Sequence, residues 1–288
     1  MVKLKKAVIP AAGFGTRMLP AAKAIPKEML PILDRPTIEY VVQEAADAGV
    51  DDVLMVVSRD KKAIEDHFDR SPELEARLQA GGRLELIASI AELAKKVQVH
   101  SVRQAEQKGL GHAVLQAKRH VGNEPFACML GDTVFSGDPL PLVQMKQIFD
   151  KYQTPVIALE EVPLEKVSRY GIVGGKEVEP GVLRLETLVE KPSPEAAPSR
   201  YAICARYILT PDIFAFLENT RPGKGGEIQL TDALKMLCDA RPMHGVVLKT
   251  HRHDIGNPID WLKTNLILAR RNEATWSQIR PLVEQLLK

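Results

Sequence analysis

The sequence is poor in cysteine: its 288 residues hold three, Cys128, Cys204 and Cys238, far apart and with no C-x-x-C pair. That usage excludes a disulfide framework or a zinc knuckle and suits a reducing compartment, so a cytoplasmic location is expected. Net charge is equally scant, 39 − 37 = +2. No broad basic field results, which excludes nucleic acid as a partner and confines any anion site to a local cluster. No stretch approaches about 18 uncharged apolar residues, so no membrane span is expected. The opening MVKLKKAVIPAAG is basic like a signal peptide, but its apolar run is short, contains Pro10 and dissolves into a glycine loop. Repeats, low-complexity tracts and flexible linkers are absent, so the chain is expected to share one core.

What is present is ordinary globular material, 45% hydrophobic and 26% charged, enough for one large α/β domain or a core with a small appendage. Short apolar runs at Lys6–Ala11, Asp52–Val57, Val97–Val102 and Phe126–Leu130 read as buried strands. Between them, Thr37 to just before Gly49, Lys61–Phe68, Pro72–Ala80, Leu84–Lys95, Gly111–His120 and Pro139–Tyr152 read as helices. This alternation predicts right-handed βαβ units and an α/β fold, a Rossmann-like doubly wound sheet with its crevice at the carboxyl ends of the strands. After Pro155–Val162 the texture changes. Ile172–Val173, a Gly174-Gly175 turn, Val182–Val189 and Tyr201–Leu209 read as hairpin strands, making the sheet mixed. Helices are expected again at Asp212–Leu217, Glu227–Ala240, Pro258–Arg271 and Thr275–Leu287. The organisation is therefore a nucleotide-binding half over about 1–152, a small β-rich half over about 153–257, and C-terminal helices over about 258–288.

The sharpest local signal is Ala11 to Ile32, AAGFGTRMLPAAKAIPKEMLPI. A strand ends, and Gly13 and Gly15 lack the Cβ atoms that would keep backbone N–H groups from turning around an anion. Arg17 offers a planar fork for phosphate oxygens and Lys27 a point charge whose swing Pro26 limits. A dinucleotide-binding loop would need a small residue where Met18 stands and a helix directly after it, but Pro20, Pro26 and Pro31 interrupt that stretch. No segment fits G-x-x-x-x-G-K-[ST]. A plain strand–helix turn with stray basic residues is the bland alternative.

G-F-G-T-R-M-L-P followed by P-K-E-M-L-P resembles the signature loop of the sugar nucleotidylyltransferases, the second piece being similar to their glucose-1-phosphate uridylyltransferase branch. Further family pieces follow in order: Gln104 with Lys108-Gly109-Leu110-Gly111-His112-Ala113, Gly131-Asp132, Tyr170-Gly171, Glu190-Lys191-Pro192, Gly226 to Ala233, and Asp254-Ile255-Gly256-Asn257. The likeness runs from about Lys5 to Arg271, nearly the whole chain.

The resemblance implies a uridylyl transfer from UTP to glucose 1-phosphate, giving UDP-glucose and pyrophosphate by in-line attack without a covalent enzyme intermediate. It implies Arg17, Lys27 and Lys191 as catalytic cations and Asp132 and Asp254 as ligands of Mg²⁺. Ala12, Gly13, Gly15, Thr16, Glu28, Gln104 and Gly109 would meet the nucleotide, Gln104 through an amide that offers a donor and an acceptor to a pyrimidine edge. Gly171, Glu190 and Lys191 would hold the sugar phosphate. Against each stands a plainer reading: a surface ion pair for Arg17, a solvated lysine for Lys27, a helix N-cap for either aspartate, a strand-end ion pair for Glu190 and Lys191. Glu227–Ala233 reads as architecture, and a zinc site on His251 and His253 is disfavoured for want of a third ligand.

Two positions depart from the family pattern: Ala22, where threonine is frequent, and Thr133, where the uridylyltransferase branch usually carries a second aspartate. Strand alternation would turn Thr133 away from the face of Asp132. Thymidylyl or cytidylyl transfer stays open as an alternative, as does a silent sugar-nucleotide-binding subunit. Apolar positions on the last helices, including Trp261, Leu262 and Trp276, suit either core packing or a homo-oligomer, dimer or tetramer.

Overall fold

The structure is a computed structural model and describes residues 2–287; Met1 and Lys288, at the ends of the first and last regions, lie outside the described residues. Besides a two-residue ribbon of Pro31–Ile32 with Arg35–Pro36, its strands are β1 (Lys6–Pro10), β2 (Asp52–Val57), β3 (Gln98–Arg103), β4 (Phe126–Met129), β5 (Thr133–Ser136), β6 (Val156–Glu161), β7 (Gly171–Glu179), β8 (Val182–Glu190), β9 (Tyr201–Leu209), β10 (His244–Val247) and β11 (His251–Asp254). One nine-stranded sheet runs in the order β3-β2-β1-β4-β9-β6-β10-β8-β7. The first four strands pair in parallel, as the βαβ alternation predicts. Strand β9 then enters antiparallel to both β4 and β6, which makes the sheet mixed and continuous across both halves. Being covered on both faces, β1, β2 and β4 read as unbroken apolar runs rather than alternating ones.

Helix α1 (Thr37–Asp47) buries Ile38, Val41, Val42 and Ala45 against the sheet and ends before Gly49, whose φ of 83° only glycine adopts freely. The other helices of the first half are α2 (Lys62–Phe68), α3 (Pro72–Ala80), α4 (Ala88–Lys96), α5 (Leu110–Gln116), α6 (Lys118–Val121) and α7 (Pro141–Tyr152). The single helix expected over 111–120 is thus two. The second half adds α8 (Ile213–Asn219), α9 (Leu230–Ala240), α10 (Pro258–Arg271) and α11 (Glu273–Leu286). Asn257 caps α10 by accepting from the Asp260 N–H, with Pro258 in the first turn.

Two further expectations change, and one strand was not expected. The Gly174-Gly175 pair is not a turn but lies inside β7; the hairpin turns at Gly181, with φ 75°. The glycines sit at a register shift opposite Leu185 and Thr187, where a Cβ on Gly175 would run into the Arg184 carbonyl. The helix expected from Glu227 begins only at Leu230. A ribbon of β5 and β11, antiparallel and separate from the main sheet, had no sequence counterpart for β5.

Beneath that ribbon lies the main structural lock. Arg206 is fully buried and holds Glu44 of α1 through Nε at 3.2 Å and Nη2 at 2.9 Å. It also donates to the carbonyls of Leu130 (3.3 Å), Ala205 (3.2 Å) and Thr133 (2.8 Å). Glu44 in turn accepts from the Leu142 N–H at the start of α7. Ala205 takes a φ of 64° at a register shift in β9, and its carbonyl accepts from Leu130 N at 3.1 Å. The turn Leu130–Thr133 is therefore clamped from two sides. Arg206→Met should cost about 3–5 kcal/mol in urea unfolding, because Glu44 is left buried without its ion-pair partner, while Arg206→Met combined with Glu44→Leu should recover part of that. A single-variant loss under about 1 kcal/mol would contradict the lock.

Candidate active site

At the carboxyl end of β1, the Ala11 N–H still bonds to the Val56 carbonyl, and the chain then leaves the sheet. Gly15 sits at φ 66° and closes a short turn over the stem of Lys27, where a Cβ would touch Lys27 Cβ and Cδ at 3.4 Å. Gly13 faces open space. The resulting cavity, about 470 Å³, is lined by Ala12, Gly13, Gly15, Thr16, Lys27, Glu28, Gln104, Gln107, Gly109, Asp132 and Glu227. Every position expected to meet a nucleotide is in that lining. Gln107 was missed by sequence reading; its amide donates to the Ala12 carbonyl at 2.8 Å and fixes the loop's backbone.

Two of these side chains have internal work as well. Glu28 is 1% exposed and its carboxylate accepts from Lys61 Nζ at 2.8 Å, a contact between separate elements that no local pattern announces. Burial pushes Glu28 above the usual carboxylate range, with Lys61 and Lys27 pulling the other way. The Gln104 amide nitrogen approaches the Gly109 carbonyl (3.2 Å) and His112 Nδ1 (2.9 Å), so the donor half of that amide is engaged and the oxygen is the freer half.

Gly109 owes its place first to a close backbone approach. With φ 95°, a Cβ there would lie 2.8 Å from both Glu227 Cβ and the Ile228 carbonyl oxygen; at Gly111 it would meet the same oxygen at 2.8 Å. Ile228 N–H donates to the Lys108 carbonyl and Gly111 N–H to the Ile228 carbonyl, at 2.8 and 2.9 Å. The K-G-L-G turn and the G-E-I-Q strap are one clasp.

A second cavity of about 400 Å³ shares Leu110, Leu130 and Asp132 with the first and adds Arg17, Thr133, Tyr170, Gly171, Glu190, Lys191, Tyr207, Gln229, Thr231, Arg252, Asp254 and Asn257. Lys191 follows β8 with φ 46°, strained for a side-chain-bearing residue by about 1 kcal/mol or more. That turn breaks strand alternation and brings its ammonium 3.0 Å from Glu190 Oε1, so the two face one space. Arg252 braces the wall, gripping Glu160 at 2.8 Å and stacking over Tyr170. Arg17 lines this cavity rather than the first, its guanidinium lying against Gly256.

Where the cavities join, Lys27 Nζ meets Asp132 Oδ2 at 2.5 Å. Burial opposes both charges, yet Asp132 and Glu28 hold Lys27 above its ordinary range, and Lys27 with Arg17 holds Asp132 below its own. Ile255 N–H donates to the Asp132 carbonyl at 2.9 Å, which sets the end of β11, and so Asp254, beside it. Thr133 does not point away. It pairs directly with Asp254 across the ribbon, so their side chains share a face; Asp132 sits in a turn, where strand alternation does not apply. His253 faces Ser136 Oγ at 2.7 Å, and burial, with Arg271 and His251 adding, pushes it down to about 4. A further cavity beside β3 carries the carboxylates of Glu65 and Asp69 and no lysine or arginine, which suits no phosphate.

The half-buried Lys27–Asp132 pair, set between a glycine-loop cavity and a second cavity lined by Arg17, Lys191 and Arg252, suits an enzyme that handles phosphate-bearing substrates. The chain belongs to the nucleotidyl transferase family, whose model matches residues 6–271. It is 44% identical over 286 residues to the UTP–glucose-1-phosphate uridylyltransferase YngB of Bacillus subtilis (strain 168), covering 99% of this chain and 96% of that one. A uridylyltransferase of the same name from Staphylococcus epidermidis is 42% identical, with 99% of each chain covered. Among solved structures it resembles a UTP-bound enzyme from Acinetobacter baumannii, with a TM-score of 0.91 and 38% identity over 98% of this chain and 99% of that one. It also resembles a UDP-glucose pyrophosphorylase complexed with UDP-glucose, with a TM-score of 0.86 and 43% identity over 93% and 99%.

The clasp yields a direct test. Gly109→Ala should lose at least ~2 kcal/mol in chemical denaturation and weaken nucleoside triphosphate binding, since both strain and overlap must be relieved. Gly225, with φ 76°, ψ 9° and open space around its would-be Cβ, is the control; its alanine variant should lose about 1 kcal/mol. Equal losses would refute the close-approach account.

Proposed function

We propose that the chain transfers the uridylyl group of UTP to α-D-glucose 1-phosphate, giving UDP-glucose and pyrophosphate. The observation that carries this reading is the sharing of Asp132, paired with Lys27, by a glycine-loop cavity and a second cavity lined by Glu190, Lys191 and Gly171. In-line phosphoryl chemistry asks for positioning and charge neutralisation rather than an enzyme nucleophile. The backbone of Ala12–Gly15 cradles the triphosphate, and Gln104 offers its oxygen to the base. Lys27, at the junction, neutralises the α-phosphate and the incoming sugar phosphate together. Lys191 holds the sugar phosphate, and Glu190 accepts from sugar hydroxyls.

Mg²⁺ is the metal we assign to Asp132 and Asp254. Lys27 takes one Asp132 oxygen and the Gly256 N–H one Asp254 oxygen, leaving Asp132 Oδ1 and Asp254 Oδ2 without a side-chain partner among the described residues. Two hard oxygen donors completed by phosphate and water fit that ion, which would withdraw charge from the phosphate oxygens. The exposed Leu262, Leu266, Leu282 and Leu286 of α10 and α11 are the face on which we place homo-oligomer contact. Cytoplasmic residence fits three free thiols.

A pyrophosphate-release panel over nucleoside triphosphates and sugar phosphates tests the reading: UTP with glucose 1-phosphate should turn over fastest, and EDTA should abolish the signal until Mg²⁺ is restored. Preference for thymidine or cytidine triphosphate would move the enzyme to a sister activity, and no turnover with any pair would sink the enzymatic reading. Lys27→Ala should lower kcat at least ~100-fold with a smaller effect on UTP affinity, because its charge matters most where the two phosphates meet; a kcat within threefold of wild type removes it from the mechanism. Lys191→Ala should raise KM for glucose 1-phosphate and leave KM for UTP nearly unchanged. A larger shift in the UTP term would reverse the assignment of the cavities.

A further inference from the structure

Arg17 is exposed and has acidic neighbours: its charge acts on Asp132 and on Asp260, and its guanidinium lies beside Asp254. Among the described residues it nevertheless forms no salt bridge. What it rests on is Gly256, a buried residue just past the end of β11. A Cβ built on Gly256 would fall 2.7 Å from Arg17 Nη2, 3.1 Å from Arg17 Cζ and 2.7 Å from Asp254 Oδ1. The Gly256 N–H donates to that same Asp254 oxygen at 2.7 Å. Gly256 has no positive φ, so backbone strain does not explain the glycine. The need is for clearance, and the nearest atoms needing it are the ends of the Arg17 and Asp254 side chains.

We propose that Gly256 is a positioning residue that seats Arg17: its bare Cα leaves the slot in which the guanidinium lies across the Asp254 end of the junction, unpaired and open to phosphate. The inference rests on the reading of Arg17 as a ligand of the phosphates. An arginine locked into a bidentate carboxylate pair would have to break it before meeting a polyphosphate; one seated on a glycine keeps its donors available while nearby carboxylates hold it electrostatically in place. The Gly256 N–H meanwhile holds one oxygen of Asp254, so one residue sets the relative placement of a phosphate-binding cation and a carboxylate across the junction.

The test is a double-mutant cycle in the full-length protein, with pyrophosphate as the probe. Isothermal titration at fixed Mg²⁺ gives Kd for wild type, Gly256→Ala, Arg17→Ala and the double variant, alongside kcat and KM for UTP and thermal melting. Gly256→Ala should melt with wild type, because only side-chain ends must move, yet bind pyrophosphate about 10-fold more weakly, in the range expected when a supporting residue is changed. In the Arg17→Ala background the same change should cost threefold or less, the residue being the crowding of Asp254, which is common to both. An equal loss in both backgrounds would show that the glycine acts without the arginine and overturn the proposal. So would wild-type affinity in Gly256→Ala, or a variant that fails to fold, since that would make the glycine a packing residue. If Arg17→Ala alone leaves pyrophosphate affinity unchanged, the phosphate reading of Arg17 falls and this inference with it, whereas the uridylyl-transfer reading is judged separately by turnover of UTP in the wild type.

Discussion

Everything chemical in this chain hangs on a charge pair that takes no part in the chemistry. Arg206 and Glu44 are both removed from solvent, and burying two ions is at best a balanced transaction. The arrangement makes sense as a means of specifying geometry. Leu130–Thr133 leaves β4 as a turn off the main sheet, and a buried carbonyl left without a donor there would be expensive. The Arg206 fork supplies donors to Leu130 and Thr133 on either side of Asp132. Because β9 carries a left-handed Ala205 at its register shift, the arginine beside it can be aimed under the turn. Asp132 is thus held by its flanking backbone, leaving its own carboxylate free for Lys27 and for ligands.

The same logic governs the charges of the site. Lys27 with Asp132 and Glu28 with Lys61 form two ion pairs at the glycine-loop cavity, the first half-buried and the second buried. Such pairs fix the position of the Lys27 ammonium before substrate arrives, so phosphate meets a charge already in place. Arg17 differs in being exposed and unpaired among the described residues, lying beside Gly256 at the Asp254 end of the junction. One cation is preorganised by partners and the other by clearance.

How much of this could be read from sequence depended on how local the cause was. The four parallel strands of the first half, the helix α1 face and the glycine loop follow from neighbouring residues alone, and the structure has them. Gly174-Gly175 misled because a bulge and a turn ask for the same residue, and only the facing strand distinguishes them. The strand β5 was invisible because four residues, Thr133–Ser136, carry too little pattern. Lys61 could not be matched to Glu28, nor Arg206 to Glu44 or Gln107 to Ala12, since those contacts join separate elements without a shared period. Thr133 was misoriented because alternation was extended into a turn.

The strap Glu227–Gln229 shows where local reading and function part company. Taken alone it looked like the first turn of a helix, and its residues make ordinary local hydrogen bonds: Gln229 donates to Glu227 at 2.9 Å. In space, Glu227 lines the glycine-loop cavity, Gln229 and Thr231 line the second cavity, and Ile228 between them is clipped to Lys108 and Gly111. A helix here would draw its N–H and C=O groups inward to its own turns and leave the K-G-L-G turn unbonded. An extended strap can instead satisfy that turn with one face of its backbone while sending successive side chains to opposite sides. The glycines at 109 and 111 and the delay of α9 to Leu230 are therefore two consequences of one demand, that a single stretch of chain border both substrate cavities.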